Sequence, residues 1–141
     1  MLLFILVTCF TVALVVVIHY EILRALSQLL PMLHIIHRHR IAVGVLGALV
    51  AHAIEIWIFA AVYYWMIQEP AWGSFQGAFN GNFMDCVYFS FTSYTTLGFG
   101  DIEPHGMVRY LTGIESLTGL VLVTWSASFL FYEMQKYWEQ D

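Results

Sequence analysis

Three long apolar runs constrain the fold of this chain more than any other feature. They cover residues 2–18, 41–67 and 107–132, and few ionisable side chains interrupt them. Since 60% of the chain is hydrophobic and only 11% is charged, a water-soluble fold would have to expose much of this apolar surface. Each run is near the length that crosses a hydrocarbon core of about 30 Å. The sequence therefore predicts an all-α membrane protein.

The first run, residues 2–18, could also be interpreted as a secretory signal peptide. It lacks a basic region before the apolar stretch and an Ala-x-Ala cleavage pattern, and it is longer than the usual apolar part of a signal. These features favour a retained transmembrane helix. Cys9 in this run and Cys86 fall in different segments, so an intrachain disulfide is not expected.

Residues 21–36 have a different character, because apolar residues recur at intervals of three and four between polar ones. This pattern predicts an interfacial helix interrupted at Pro31. The histidines and arginines that follow favour a cytoplasmic anchor at the membrane surface. The alternative is a pH sensor or metal site built from His34, His37 and His39. We accordingly predict an N-terminal region over residues 1–40 and a second domain over the rest, 41–141.

Ionisable side chains inside the second and third runs mark a buried polar site. His52 and Glu55 are three residues apart, which places them on one face of a helix. Glu115 is expected at a similar depth in the third run. Because charges inside a membrane are costly, we expect these residues to face protein or a water-filled cavity and to form one cluster. A polar contact between helices is the preferred role, and pH sensing is the alternative.

A short segment between the second and third runs cannot cross a membrane. Residues 68–82 carry turn-forming and polar residues typical of a loop. Asn82 is then a suitable N-cap for a helix over residues 83–95. So short a helix must be re-entrant, which is tolerated only where the returning backbone is buried in protein or lines a pore. We predict a pore helix at 83–95, flanked by an outer and an inner membrane helix.

The next residues, 95–101, read Thr-Thr-Leu-Gly-Phe-Gly-Asp and carry the clearest functional signal. Two glycines at alternate positions permit backbone conformations in which successive carbonyls point the same way. Rings of such carbonyls can replace the water around a monovalent cation, and the Thr96 hydroxyl would add oxygens at the inner end. We interpret residues 96–100 as an ion-selectivity filter, with Asp101 just outside its mouth.

This stretch resembles the filter of the potassium-channel pore-domain family, Thr-Val-Gly-Tyr-Gly, at Thr96, Gly98 and Gly100. Leu97 and Phe99 are the departures. The resemblance is to small prokaryotic channels with two spans and a pore loop, here with an extra N-terminal span, and it implies a potassium-selective channel. The residues expected to bind K⁺ are Thr96, Leu97, Gly98 and Phe99.

The resemblance also implies an assembly and a support for the filter. One filter strand per chain means that four chains complete the oxygen rings, so we expect a homotetrameric pore in membrane lipid. In the family, a pore-helix side chain donates a hydrogen bond to the acid after the filter. We expect Tyr88 to donate to Asp101 in this way, with Thr95 as a further support. No cofactor is expected beyond the permeant K⁺.

The third run should supply the inner wall of the pore. Gly119, near its middle, can act as a bending point or allow close helix packing. Phe131 would form a hydrophobic gate on the cytoplasmic side. Thr124 and Ser128 mark a competing face, so the rotation of the helix stays open. The residues predicted to line the pore are Gly119, Val123, Ala127 and Phe131.

Basic residues set the expected orientation. Arg24, Arg38 and Arg40 lie between the first and second runs, and Lys136 follows the third. Because cytoplasmic loops are enriched in Lys and Arg, we expect these two regions to be cytoplasmic and the N-terminus and filter mouth to lie outside. Arg109 is the single exception. The expected location is the inner membrane of a prokaryotic cell, with several membrane passes.

Two other functions fit parts of the sequence. Leu97 and Phe99 permit a weakly selective monovalent cation channel. His52, Glu55 and Glu115, with His19, could ligate a divalent ion in an intramembrane metal-binding or redox protein, but that interpretation leaves residues 95–101 unexplained. With a net charge of −5 and no basic surface, a nucleic-acid partner is not expected. A transport function is expected rather than an enzymatic one.

Overall fold

The structure is a computed structural model that describes residues 1–33 and 37–138. The described part contains, in chain order, α1 (Leu2–Met32), α2 (His37–Met66), β1 (Gly73–Gly77), α3 (Phe83–Tyr94), β2 (Ile102–Gly106) and α4 (Val108–Trp138). Within it α1, α2 and α4 contain stretches long and apolar enough to cross a membrane. The predicted helical membrane fold is confirmed.

The first span and the predicted interfacial helix are one continuous helix, so the separate helix over residues 21–36 is wrong. No glycine or proline lies where the two segments join, and Pro31 falls only in the last turn of α1. The amphipathic pattern arises from packing: Leu30 is fully buried, and the side chain of Leu26 lies against Gly47 of α2. The last three residues of the predicted interfacial helix lie outside the described residues.

Two short strands connect the chain before α3 to the chain after it. β1 lies within residues 68–82, which were predicted to form a loop, and no structure was predicted for the residues of β2. β1 and β2 pair antiparallel, with Phe75 opposite Pro104. Next to the sheet, the Trp72 carbonyl accepts a hydrogen bond from the Met107 N–H at 2.8 Å. The chain that enters α3 is therefore tied to the chain that leaves for α4, and residues 78–101 form a closed loop between them.

An aromatic cluster anchors α3 against α2. The rings of Tyr63, Phe75 and Phe89 are buried. The centroid of the Tyr63 ring is 5.6 Å from that of Phe75 and 5.3 Å from that of Phe89, and the two Phe centroids are 4.5 Å apart. These rings come from α2, β1 and α3, respectively. With twelve residues, α3 is about 18 Å long. It is therefore too short to cross a membrane and packs between α2 and α4 instead.

Gly119 of α4 lies directly against the end of α3, and we predict that a side chain there destabilises the bundle. A Cβ atom at Gly119 would lie 2.2 Å from the Tyr94 carbonyl oxygen. Gly119→Ala should lower the free energy of unfolding by about 1–3 kcal/mol, measured by thermal unfolding in detergent. Gly113→Ala on the same helix is the control, because its Cβ would meet nothing within 4 Å. Equal losses in both variants would contradict the prediction.

Candidate functional site

α3 begins at a capped end and directs its other end toward residues 95–101, which we call the filter segment. Asn82 Oδ1 accepts a hydrogen bond from the Asp85 N–H at 2.8 Å, which confirms the predicted N-cap. Asp85 Oδ2 in turn accepts from the Asn80 N–H at 2.7 Å. Asp85 also places a negative charge in the first helical turn, where it complements the helix dipole. The opposite end of α3 carries partial negative charge, which favours a cation near the filter segment.

The backbone of the filter segment alternates in conformation. φ is positive at Thr96 (59°), Gly98 (54°) and Gly100 (78°), and Thr96 is the one non-glycine residue with positive φ in the described part of the chain. The N–H groups of Thr96 and Gly98 donate to the carbonyls of Ser93 and Thr92, at 3.0 and 3.1 Å. Among the hydrogen bonds of the described residues, none is accepted by a carbonyl between Thr96 and Gly100. Two N–H groups are thus used to hold the segment to α3, while its carbonyl oxygens stay available.

Side chains at both ends tie the filter segment to α3. Tyr88 Oη donates to Asp101 Oδ2 at 2.9 Å, the hydrogen bond that the resemblance implied. This bond raises the pKa of Tyr88 above its ordinary value, because it favours the protonated phenol. The Tyr88 ring also stacks on Phe99, with centroids 6.5 Å apart and planes 7° from parallel. At the inner end, Thr95 Oγ1 donates to the Phe91 carbonyl at 2.6 Å.

His52 and Glu55 lie together, as predicted, with partners from two other helices. Glu55 Oε1 is 2.8 Å from His19 Nδ1, and Glu55 Oε2 is 3.1 Å from His52 Nδ1. Tyr94 Oη donates to Glu55 Oε2 and lies 3.0 Å from His52 Nδ1. We call these four residues the Glu55 cluster. His19 was expected here only in the metal-site alternative. Tyr94 fits a supporting cuff of pore-helix aromatics, but its contact with Glu55 was not predicted; its position next to the filter segment was the available signal.

Glu115 belongs to a different group, so the predicted single cluster is divided in two. Tyr63 Oη donates to Glu115 Oε2 at 2.5 Å, and Ser90 Oγ donates to Glu115 Oε1. We call these three residues the Glu115 cluster. Within the described ranges, no hydrogen bond joins Glu115 to His52 or Glu55. The rotation of α4 directs the Glu115 carboxyl to Ser90. On α3, Ser90 lies about one helical turn before Tyr94, the residue that contacts Glu55.

The residues predicted to line a pore divide between two faces of α4. Val123 and Phe131 are 45% and 58% exposed in the single chain, and Ala127 is exposed between them. Gly119 is instead buried against Tyr94. Close packing is therefore the structural role of Gly119, while the other three residues form an exposed apolar stripe.

The fold and the site define a membrane protein in which a short helix and an exposed, glycine-containing segment lie between two long apolar helices. In agreement with this, a family model described as an ion channel matches residues 51–136, more than half of the chain. The chain belongs to this ion-channel family. The matched range includes most of α2 and all of α3 and the filter segment, together with most of α4. No curated protein and no solved structure gives a significant match.

Loss of the Tyr63 hydroxyl tests the Glu115 cluster. Tyr63→Phe keeps a buried ring but removes one donor from a buried carboxyl, so it should lower the free energy of unfolding by about 1–3 kcal/mol. Thermal unfolding of the purified protein in detergent measures this loss. Tyr64→Phe is the matched control, because Tyr64 is 39% exposed and a Phe ring keeps its edge contact with Phe83. The same unfolding midpoint in both variants would exclude a stabilising role for this hydrogen bond.

Proposed function

We propose that the chain is one subunit of a potassium channel that conducts K⁺ passively across the membrane. The observation that carries this proposal is the alternation of φ along the filter segment, with positive values at Thr96, Gly98 and Gly100. Alternating backbone conformations direct successive carbonyls to the same edge of a strand, and rows of such oxygens can replace the hydration shell of K⁺. K⁺ would bind at the oxygens of residues 96–99.

A homotetramer is the assembly that this coordination requires. One filter segment supplies a single side of each oxygen ring, and four segments around an axis complete the rings. Leu97 and Phe99 are 65% and 67% exposed in the single chain, which supports their burial between subunits. In the tetramer, the exposed stripe of α4 would line the pore below the filter segment, with Phe131 as the hydrophobic gate.

The orientation that we propose follows from the distribution of basic residues. Arg24 lies in α1, before α2, and Arg40 lies in the first turn of α2. Lys136 lies in the last turn of α4. Because cytoplasmic regions are enriched in Lys and Arg, this distribution supports an orientation with these ends inside the cell and the N-terminus and filter mouth outside. A prokaryotic inner membrane fits this arrangement, with residues 41–141 as the pore domain and 1–40 as the preceding region.

A weakly selective monovalent cation channel is the second candidate. Phe99 has no hydroxyl with which to hydrogen-bond to its surroundings, and its ring contact with Tyr88 is a stacking contact. Fewer hydrogen bonds around the segment would let the oxygen rings adapt to an ion smaller than K⁺. Reversal potentials measured in mixed K⁺ and Na⁺ solutions distinguish the two candidates.

Substitution of Gly98 tests whether the filter segment conducts. Gly98→Ala places a Cβ on a residue with a φ of 54°, and the resulting displacement of the carbonyls should reduce K⁺ flux into liposomes by at least about tenfold. Gly81→Ala is the control, because Gly81 also has a positive φ of 82° and open space around its Cβ, but lies before α3. Unchanged flux in Gly98→Ala, with channels present in the liposomes, would refute the proposed conduction path.

The hydrogen bond from Tyr88 should hold the outer end of the filter segment. Tyr88→Phe removes the donor to Asp101 but keeps the ring on Phe99, so we expect faster loss of current during sustained opening and a lower K⁺ to Na⁺ permeability ratio. Planar-bilayer recordings of the purified channel measure both. Tyr110→Phe is the control, because Tyr110 is 58% exposed and its ring contact with Phe4 does not need the hydroxyl. Identical currents in the two variants would show that the bond does not support the filter.

A further inference from the structure

We propose that the Glu55 cluster is a binding site for a divalent transition-metal ion of the Zn²⁺ class, and that this ion joins α1 to α2 beside the end of α3. The ligands would be His19, His52 and Glu55, each of which offers one ligand atom, and these atoms all lie within 4.8 Å of one another. Imidazole nitrogen and carboxylate oxygen are established ligand types for Zn²⁺. Metal binding can be measured without ion flux, so this inference does not depend on the proposed conduction of K⁺.

The separations between the ligand atoms suit a tetrahedral ion. With metal–ligand bonds of about 2.1 Å, neighbouring ligand atoms around such an ion are about 3.4 Å apart. The Glu55 carboxylate oxygens lie 2.8 Å from His19 Nδ1 and 3.1 Å from His52 Nδ1. Each of these two histidine nitrogens would therefore have to move away from its carboxylate oxygen by a few tenths of an ångström when the ion binds.

The surroundings of the cluster already orient its ligands. Tyr94 Oη donates to the Glu55 carboxylate, and His19 Nε2 faces Ser126 Oγ at 3.4 Å. Partners of this kind fix the ring of a metal-ligating histidine and the direction of a ligating carboxylate. Three protein ligands leave the fourth position to water. The side chain of His52 is 14% exposed in the single chain, whereas His19 and Glu55 are fully buried.

Charge favours a cation at this place. The side chains of His19 and Glu55 are completely buried, in helices that are apolar enough to cross a membrane. The partners of Glu55 in the described part of the chain are His19, His52 and Tyr94, none of which carries a permanent positive charge. A divalent ion would compensate the carboxylate charge where lipid and apolar side chains cannot.

The site would give α1 a defined connection to the filter segment. α1 lies outside residues 51–136, which match the ion-channel family. Its His19 is nevertheless in the same buried cluster as Tyr94, which directly precedes the filter segment. An ion held by ligands from α1 and α2, with Tyr94 bonded to one of them, would resist separation of α1 from the pore helix.

Metal analysis of the purified full chain tests the proposal. The protein is isolated in detergent with a tag that contains no histidine, stripped with EDTA, incubated with Zn²⁺ and desalted before elemental analysis. We expect about one Zn²⁺ per chain and, after substitution with Co²⁺, the intense visible absorption of tetrahedral coordination. Absence of bound metal, or a Co²⁺ spectrum typical of six-coordinate surface binding, would overturn the proposal.

Variants locate the bound ion. His19→Gln and Glu55→Gln should each abolish stoichiometric binding, and Ser126→Ala should weaken it by roughly tenfold because it removes a partner of a ligand. The control replaces the histidines at positions 34, 37 and 39 with Gln and should keep about one ion per chain; His34 lies outside the described residues. If this triple variant loses the metal, or if Ser126→Ala and His19→Gln both retain full affinity, the ion binds elsewhere and the assignment fails.

Discussion

Two buried carboxyl groups hold the short helix α3 in place, and the rest of the site depends on them. Glu115 of α4 accepts a hydrogen bond from Ser90, and Glu55 of α2 accepts one from Tyr94. Both acids are completely buried. Because an unpaired carboxyl in such surroundings would cost several kcal/mol, any displacement of α3 that breaks these bonds is strongly unfavourable. α3 is thus fixed to the helix on each side of it, four residues apart along its length.

The fixed position of α3 also explains why the filter segment can leave helical structure, because α3 supplies hydrogen-bond partners for its backbone. Non-helical backbone is tolerated inside a membrane only where protein or water satisfies its polar groups. Here the N–H groups of Thr96 and Gly98 return to carbonyls of α3, and the sheet of β1 and β2 fixes the chain just beyond Asp101. The segment is therefore held at both ends and along its N–H side. Its carbonyl oxygens need a different partner, and a permeant cation would be such a partner.

The sequence was sufficient to predict the features that depend on local patterns. Apolar runs predicted three membrane helices, Asn82 predicted the start of α3, and the spacing of His52 and Glu55 predicted their contact. The strands β1 and β2 were missed because each has only five residues and contains glycine at one or both ends, which is typical of a turn or loop. Their pairing depends on contacts between segments far apart in the chain.

Features that depend on the rotation of long helices could not be read from the sequence. The depth estimate placed Glu115 level with His52 and Glu55. Because polar and small residues occur on more than one face of α4, no pattern revealed that Glu115 faces Ser90 rather than Tyr94. The role of Gly119 was left open for the same reason. Its position against the Tyr94 carbonyl is a property of the packed helix pair.

The packing of α1 joins the region before residue 40 to the rest of the bundle. Phe4, near the start of α1, packs against Trp72 and Tyr110, and His19 contacts Trp125 in the middle of the bundle. α1 thus covers the seam between α2 and α4. Without it, the carboxyl group of Glu55 would lose a buried partner and face lipid, where an ionisable group is costly. The burial of Glu55, and through it the anchoring of α3, is a joint property of α1 and the region that matches the ion-channel family.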